Sequence, residues 1–191
     1  MNQVKITPVN FAMQAGVYLG VLGIIRFFAM AYSLDNPFIR LFYLAIALFY
    51  HIVVYRQIKK YTIEVCDGYI TFFEAWNVGL LIYFFASLLT GAFEFIYFKY
   101  INPSFISEIS IKTLSMIKEL SALITDPSAK SMLVQYSALV QDAPTPTAIQ
   151  MVFEHIQSAV LAGIFVSVIL ALILARKSKK NGVETPDNNA E

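Results

Sequence analysis

Four long apolar runs, residues 11–32, 38–55, 76–98 and 155–175, alternate with shorter polar stretches along the chain. A helix crossing a bilayer needs about 20 mainly apolar residues, because lipid offers no partner for backbone N–H and C=O groups. Each run is of that order, so the pattern predicts four membrane helices. The segment between the third and fourth, residues 99–154, has a different period. Ile106, Ile109, Leu114, Ile117, Leu120 and Ile124 recur every three or four positions with Lys112, Lys118 and Glu119 among them, which predicts an amphipathic helix. Asp126-Pro127 ends it and opens a second, whose apolar stripe is Met132, Leu133, Tyr136 and Val140. Pro144 and Pro146 break the chain, and Thr147-Ala148-Ile149-Gln150 has the spacing of a capping box, placing the start of the last membrane helix near Thr147. The expected fold is all-α: a four-helix transmembrane bundle with two amphipathic helices in the long outer segment. Residues 1–180 make one membrane domain. Residues 181–191, polar and without periodicity, read as a disordered cytoplasmic tail.

Composition agrees. Of 191 residues, 58% are hydrophobic and 14% charged, against roughly 45–50% and 25% in soluble domains. The net charge of +1 and the absence of a broad basic face exclude nucleic acid as a partner. Lys5 precedes the first run, Arg56, Lys59 and Lys60 follow the second, and Arg176, Lys177, Lys179 and Lys180 follow the fourth, whereas residues 33–37 carry no positive charge. The positive-inside rule therefore predicts a multi-pass protein of the cytoplasmic (inner) membrane with both termini cytoplasmic, a loop over 57–75 inside and residues 99–154 outside. Ala29-Met30-Ala31 resembles a signal-peptidase site, but the run before it is too long for a signal core and contains Arg26, so a retained helix is expected.

Membrane helices associate through close packing of small residues. Ala12, Gly16 and Gly20 in the first helix and Ala159, Gly163 and Ser167 in the fourth form two such stripes, expected to meet within the chain or in a homodimer seam. Ionisable side chains inside a span cost about 2.5–3.5 kcal/mol at its centre, so they face the bundle and find partners. Arg26 and Glu94 lie at matched depth, Ser87, Thr90 and Gly91 share the face of Glu94, and an Arg26 to Glu94 pair is the expected contact. Arg40, Glu154 and His155 extend that polar cluster, and His51 with Glu74 is a second candidate pair near the inner surface. A cluster of this kind serves either to fix helix register or as a polar cavity for an ion, proton or small anion.

No chemistry-bearing motif accompanies these residues. There is no His-Glu-x-x-His, Gly-x-Ser-x-Gly, P-loop or dinucleotide fingerprint, no aspartate lies within a span, and Cys66 stands alone in a loop. No catalytic residue, cofactor or metal is expected. The partners expected are the lipid bilayer and a second copy or another membrane protein.

Tyr55-Arg56, the run Asp67-Gly68-Tyr69-Ile70-Thr71-Phe72-Phe73-Glu74-Ala75, and Ile101-Asn102-Pro103-Ser104-Phe105 resemble a bacterial membrane family catalogued as domain of unknown function 4199. The resemblance rests on Gly68, Ile70 and Phe72, a Gly-x-Ile-x-Phe element, and on Pro103 and Phe105, a Pro-x-Phe element. It implies four membrane helices and no activity, cofactor or catalytic residue. The sequence thus favours a non-enzymatic structural or interaction component of the membrane, with a small transporter or channel subunit built around Arg26 and Glu94 as the alternative.

Overall fold

Five of the six described helices start where a polar side chain takes up an N–H group that the first turn leaves free, the one beginning at Phe105 being the exception. The computed structural model describes residues 7–33, 36–142 and 144–175, apart from the side chains of Pro37 and Asp142, and contains six α-helices: α1 (Pro8–Ser33), α2 (Pro37–Glu64), α3 (Phe72–Ile96), α4 (Phe105–Leu123), α5 (Pro127–Asp142) and α6 (Ala148–Leu174). Asn36 Oδ1 accepts from Phe38 N at 2.9 Å with Pro37 following, and Thr71 Oγ1 accepts from Glu74 N at 3.3 Å. Asp126 Oδ1 accepts from Ser128 N at 3.0 Å, and Thr147 with Gln150 forms the expected capping box. The charged tail segments at Lys5 and at residues 176–180, and the tail predicted to be disordered at 181–191, lie outside the described residues.

The four apolar helices are long enough to cross a membrane, and the chain is an all-α, multi-pass bundle. Two boundaries differ from the sequence reading. α2 runs on to Glu64, so Arg56, Lys59 and Lys60 project from a helix and the connection to α3 shrinks to residues 65–71. That turn is made by Asp67 and Gly68, both at positive φ, and Gly68 at +85° occupies a conformation only glycine adopts without strain. At the other end α3 passes into a π-helical turn, Tyr97–Ile101, closed by Asn102 N donating to Tyr97 O at 2.8 Å. Irregular turns of this kind recur where a helix is bent to serve a site.

α3 is the centre of the bundle, packing on α1 along one side and α6 along another, while α2 packs mainly on α1. The two small-residue stripes therefore do not meet each other, contrary to the expectation from sequence; each meets α3. A Cβ on Gly16 would lie 2.6 Å from Phe85 Cβ, and one on Gly163 would lie 2.7 Å from Tyr83 Cβ. Reading small residues finds helices built for close approach, but α3 carries its own small positions, Ala75, Gly79 and Ala86, and can take a partner on each side. Ser167 sits against Gly79, fully buried, with its hydroxyl unpartnered.

Two apolar clusters close the ends. At the 65–71 end, Val54 and Ile58 of α2, Val78 and Ile82 of α3, Leu19 of α1 and Ala171 of α6 form a dry core with no exposed surface. At the α4–α5 end, Phe27, Phe98, Phe105 and Val152 form an aromatic cap, in which Phe98 and Phe105 stack at 5.7 Å. The two sequence elements noted above anchor these clusters: Ile70 is buried in the first and Phe105 in the second.

Candidate functional site

Between the two clusters the helices part. Each turns one stripe toward the gap at helical spacing: Gly23, Arg26, Phe27 and Met30 of α1; Tyr43, Ala47, Tyr50 and His51 of α2; Tyr83, Ser87, Thr90 and Glu94 of α3; His155, Ala159 and Ala162 of α6. They enclose a cavity of about 300 Å³. Both histidines of the chain face it, together with one arginine and one glutamate. From Glu94 to Tyr83 along α3 is about 16 Å at 1.5 Å per residue, so the polar lining runs from one end of the span toward its middle and stops at the dry core.

The small hydroxyl residues of α3 are held by their own helix. Ser87 Oγ donates to Phe84 O at 2.8 Å, and Thr90 Oγ1 donates to Ala86 O at 3.0 Å while lying 3.3 Å from Gly20 O of α1. Glu94, only 5% exposed, pairs with His155 of α6, whose Nδ1 lies 3.3 Å from Glu94 Oε1. The sequence-based expectation of an Arg26 to Glu94 contact is thus corrected. Arg26 and Glu94 face the same cavity, but the guanidinium turns to α2, where Nη2 donates to the Tyr43 hydroxyl at 3.4 Å and the charge sits 5.6 Å from the Tyr43 ring centre and 5.9 Å from that of Tyr50. Aromatic faces hold a cation through their quadrupole, and guanidinium is the cation best suited to lie over them.

Arg40 and Glu154, placed by sequence in the same cluster, are exposed and take no part in the cavity wall. Both sit within two turns of a helix start, where a long side chain reaches the interface. The second expected pair also dissolves. His51 lies halfway along α2, with Nδ1 2.7 Å from the Tyr83 hydroxyl, and Glu74 sits at the 65–71 end, where Oε1 accepts from Tyr61 Oη at 3.2 Å and from Cys66 Sγ at 3.4 Å. Extending α2 to Glu64 moves His51 away from the surface, which is why a pairing argued from loop boundaries fails. Burial and the neighbouring Glu74 carboxylate push the Cys66 thiol up to about 11.

The tyrosines Tyr43, Tyr50 and Tyr83 are the site residues that sequence reasoning missed. Their signal was present: Tyr43 and Tyr50 are seven apart on α2, and Tyr83 continues the Ser87, Thr90, Glu94 stripe by one turn. Among the described residues no group of three or more His, Cys, Asp or Glu side chains is placed to hold a metal ion. The arrangement offers one fixed positive charge, one buried acid with a basic partner, and a ring of hydroxyl donors and acceptors. The family model described as protein of unknown function (DUF4199) matches residues 14–176, and the chain belongs to that family. No curated protein and no solved structure matches it.

Proposed function

We propose that this DUF4199 protein is a non-enzymatic protein of the cytoplasmic membrane that admits a small solute to the cavity within its spans, as a small transporter or solute-binding subunit. The observation that supports this reading is the unsaturated polar cavity. Ionic groups retained only to fix helix register end up paired and dry, since a buried charge is tolerable only when its partners are all in place. Here the oppositely charged Arg26 and Glu94 face a common space of about 300 Å³ without closing on each other.

The orientation proposed puts both termini and the 65–71 turn inside and α4 and α5 outside, supported by Arg56, Lys59 and Lys60 near the 65–71 end of α2. The cavity then lies toward the outer face and the dry core seals the inner half. Cysteine labelling in intact cells checks this: Ser128→Cys should react with an impermeant maleimide and Ser178→Cys should not, and the reverse would overturn the orientation.

The solute reading is tested by melting purified protein with a panel of small anionic, cationic and neutral solutes, beside Ala159→Trp, which fills the cavity from α6. A solute that raises the wild-type melting temperature and leaves the filled variant unmoved supports the reading. A panel without effect on wild type would overturn it.

A second reading, an interaction component of a larger membrane assembly, is favoured by α4 and α5, where Ile111, Leu123, Met132 and Leu139 are each two-thirds or more exposed. Co-purification of a defined partner that is lost in Leu123→Glu would support it.

A further inference from the structure

Charge balance in the cavity goes further than the presence of a solute site. Arg26 carries a fixed positive charge and lines the cavity, and its hydrogen bond among the described residues is the one to Tyr43 at 3.4 Å, which leaves most of its five N–H donors without a protein acceptor there. A guanidinium fork with free donors matches a planar carboxylate, which it grips through two parallel bonds. The space beside it is walled by the rings of Phe27, Tyr43 and Tyr50, which suits an apolar body on the same ligand.

Such an anion cannot enter alone. With Glu94 ionised, Arg26 and Glu94 already cancel, and one more negative charge in a site of low dielectric is unbalanced and costly. The titratable and charged groups that share the cavity with Glu94 are Arg26 on α1, Tyr43, Tyr50 and His51 on α2, Tyr83 on its own helix α3 and His155 on α6. Of these, His155 is in direct contact with the carboxylate at 3.3 Å, whereas His51 is occupied with Tyr83 at 2.7 Å. The Glu94–His155 pair is therefore the place where one added proton restores neutrality.

Taking the solute-binding reading as its basis, we propose that the cavity binds a monocarboxylate with an apolar body on Arg26 and takes up one proton on the Glu94–His155 pair as it does so. Anion and proton are then linked reciprocally: each raises the affinity for the other by the same factor. The carboxylate could arrive from water or from the bilayer, since Ala162, at the α6 edge of the cavity, is exposed.

The test is calorimetric titration of the full chain in nanodiscs with benzoate, octanoate, benzamide and benzylamine, in buffers of different ionisation enthalpy. At least one carboxylate is expected to bind ten-fold or more tightly than benzamide, with uptake of about one proton and roughly ten-fold weaker binding per pH unit on the alkaline side. Binding of benzoate assigns a water-borne ligand, and binding of octanoate without benzoate a lipid-borne one; both support the carboxylate site. Arg26→Gln should lose carboxylate binding while keeping its elution profile. Glu94→Gln, neutral without a proton, should bind the carboxylate with no proton uptake and little pH dependence, whereas Glu154→Gln, an exposed carboxylate outside the cavity wall, should behave as wild type. Benzamide or benzylamine binding as tightly as the carboxylates would overturn this proposal and leave the solute site standing. Carboxylate binding without proton uptake, or uptake that survives in Glu94→Gln, would overturn the coupling. If none of the four probes binds and the wider panel is equally silent, the solute reading itself fails.

Discussion

Gly16 offers the sharpest test of the packing. In Gly16→Ala the new Cβ would stand 2.6 Å from Phe85 Cβ, 3.2 Å from Ala86 N and 3.3 Å from Phe85 C. Carbon atoms pack best at about 3.5–4.0 Å, so the deficit is about 1 Å, and it falls on backbone and Cβ atoms that no rotamer change can move. α1 must then back away from α3 locally. A gap of 0.5–1 Å forfeits a quarter to a half of each contact's attraction of about 0.1–0.2 kcal/mol. Spread over a few tens of atom pairs around the buried Ala12, Ala15 and Leu19, that loss is about 1–2 kcal/mol, within the usual range for overpacking.

Gly91→Ala is the matched control. Its Cβ would meet Val152 Cγ1 at 3.1 Å and Ile156 side-chain atoms at 3.2 Å, groups that can shift by a few tenths of an ångström. Both substitutions gain the same intrinsic helix preference, so their difference isolates the contact. Unfolding in detergent, followed by circular dichroism against denaturing surfactant, should show Gly16→Ala less stable than Gly91→Ala by about 1–2 kcal/mol. Gly163→Ala, facing Tyr83, should resemble Gly16→Ala, and the double variant should lose close to the sum, since the two glycines lie on separate interfaces of α3. If Gly16→Ala is as stable as wild type, or Gly91→Ala falls as far, the reasoning from close approach is wrong.

Cys66 should react slowly with iodoacetamide at pH 8, because little thiolate exists well below about 11, and faster as pH rises; Glu74→Gln removes the neighbouring charge and should speed labelling at fixed pH. Equal rates in the two proteins would remove Glu74 from the account. Ser167→Ala should be neutral or stabilising by up to about 1–3 kcal/mol, because it deletes a buried hydroxyl without a partner, and a clear loss of stability would mean that the hydroxyl is bonded in the membrane. In a double-mutant cycle on folded yield, Glu94→Leu and His155→Leu should couple by at least about 0.5 kcal/mol, while Glu94→Leu and Arg40→Leu should add, and the opposite pattern would contradict the geometry of the pair.

The pattern of apolar residues is enough to place the six described helices: the four long ones because in lipid the length of a span and the polarity of its flanks leave little choice, and α4 and α5 by their three-to-four-residue period. Capping was equally legible: Asp126-Pro127 and Thr147 to Gln150 start helices where their chemistry says they should. Pairing was not. Matched depth suggested Arg26 with Glu94, but depth leaves the rotation of each helix open, and rotation sends Arg26 to Tyr43 and gives Glu94 to His155. The depth of His51 is not legible because the positive charges at Arg56, Lys59 and Lys60 flank an apolar run without ending the helix, which continues to Glu64. The small-residue stripes announced close contact without naming the partner, which three-dimensional order alone decides.

The cavity and the seal beneath it have one cause in the make-up of α2. α1, α3 and α6 each carry glycine at the positions where they approach, whereas α2 has none, turns the bulky Tyr43, Tyr50 and His51 to the cavity, and packs mainly on α1. Without glycine it makes few close contacts with α3 and α6, and in the half where it turns Tyr43, Ala47 and His51 to the bundle a gap is left. Further along the same face, Val54 and Ile58 fill that gap completely, Ile58 reaching Gly79 so closely that a Cβ there would lie 3.1 Å from its Cδ1. The two halves of one helix face thus set where the bundle leaves a polar cavity and where it is closed. Any path through the membrane would have to open at Val54 and Ile58, on the helix that makes the least use of close backbone contact.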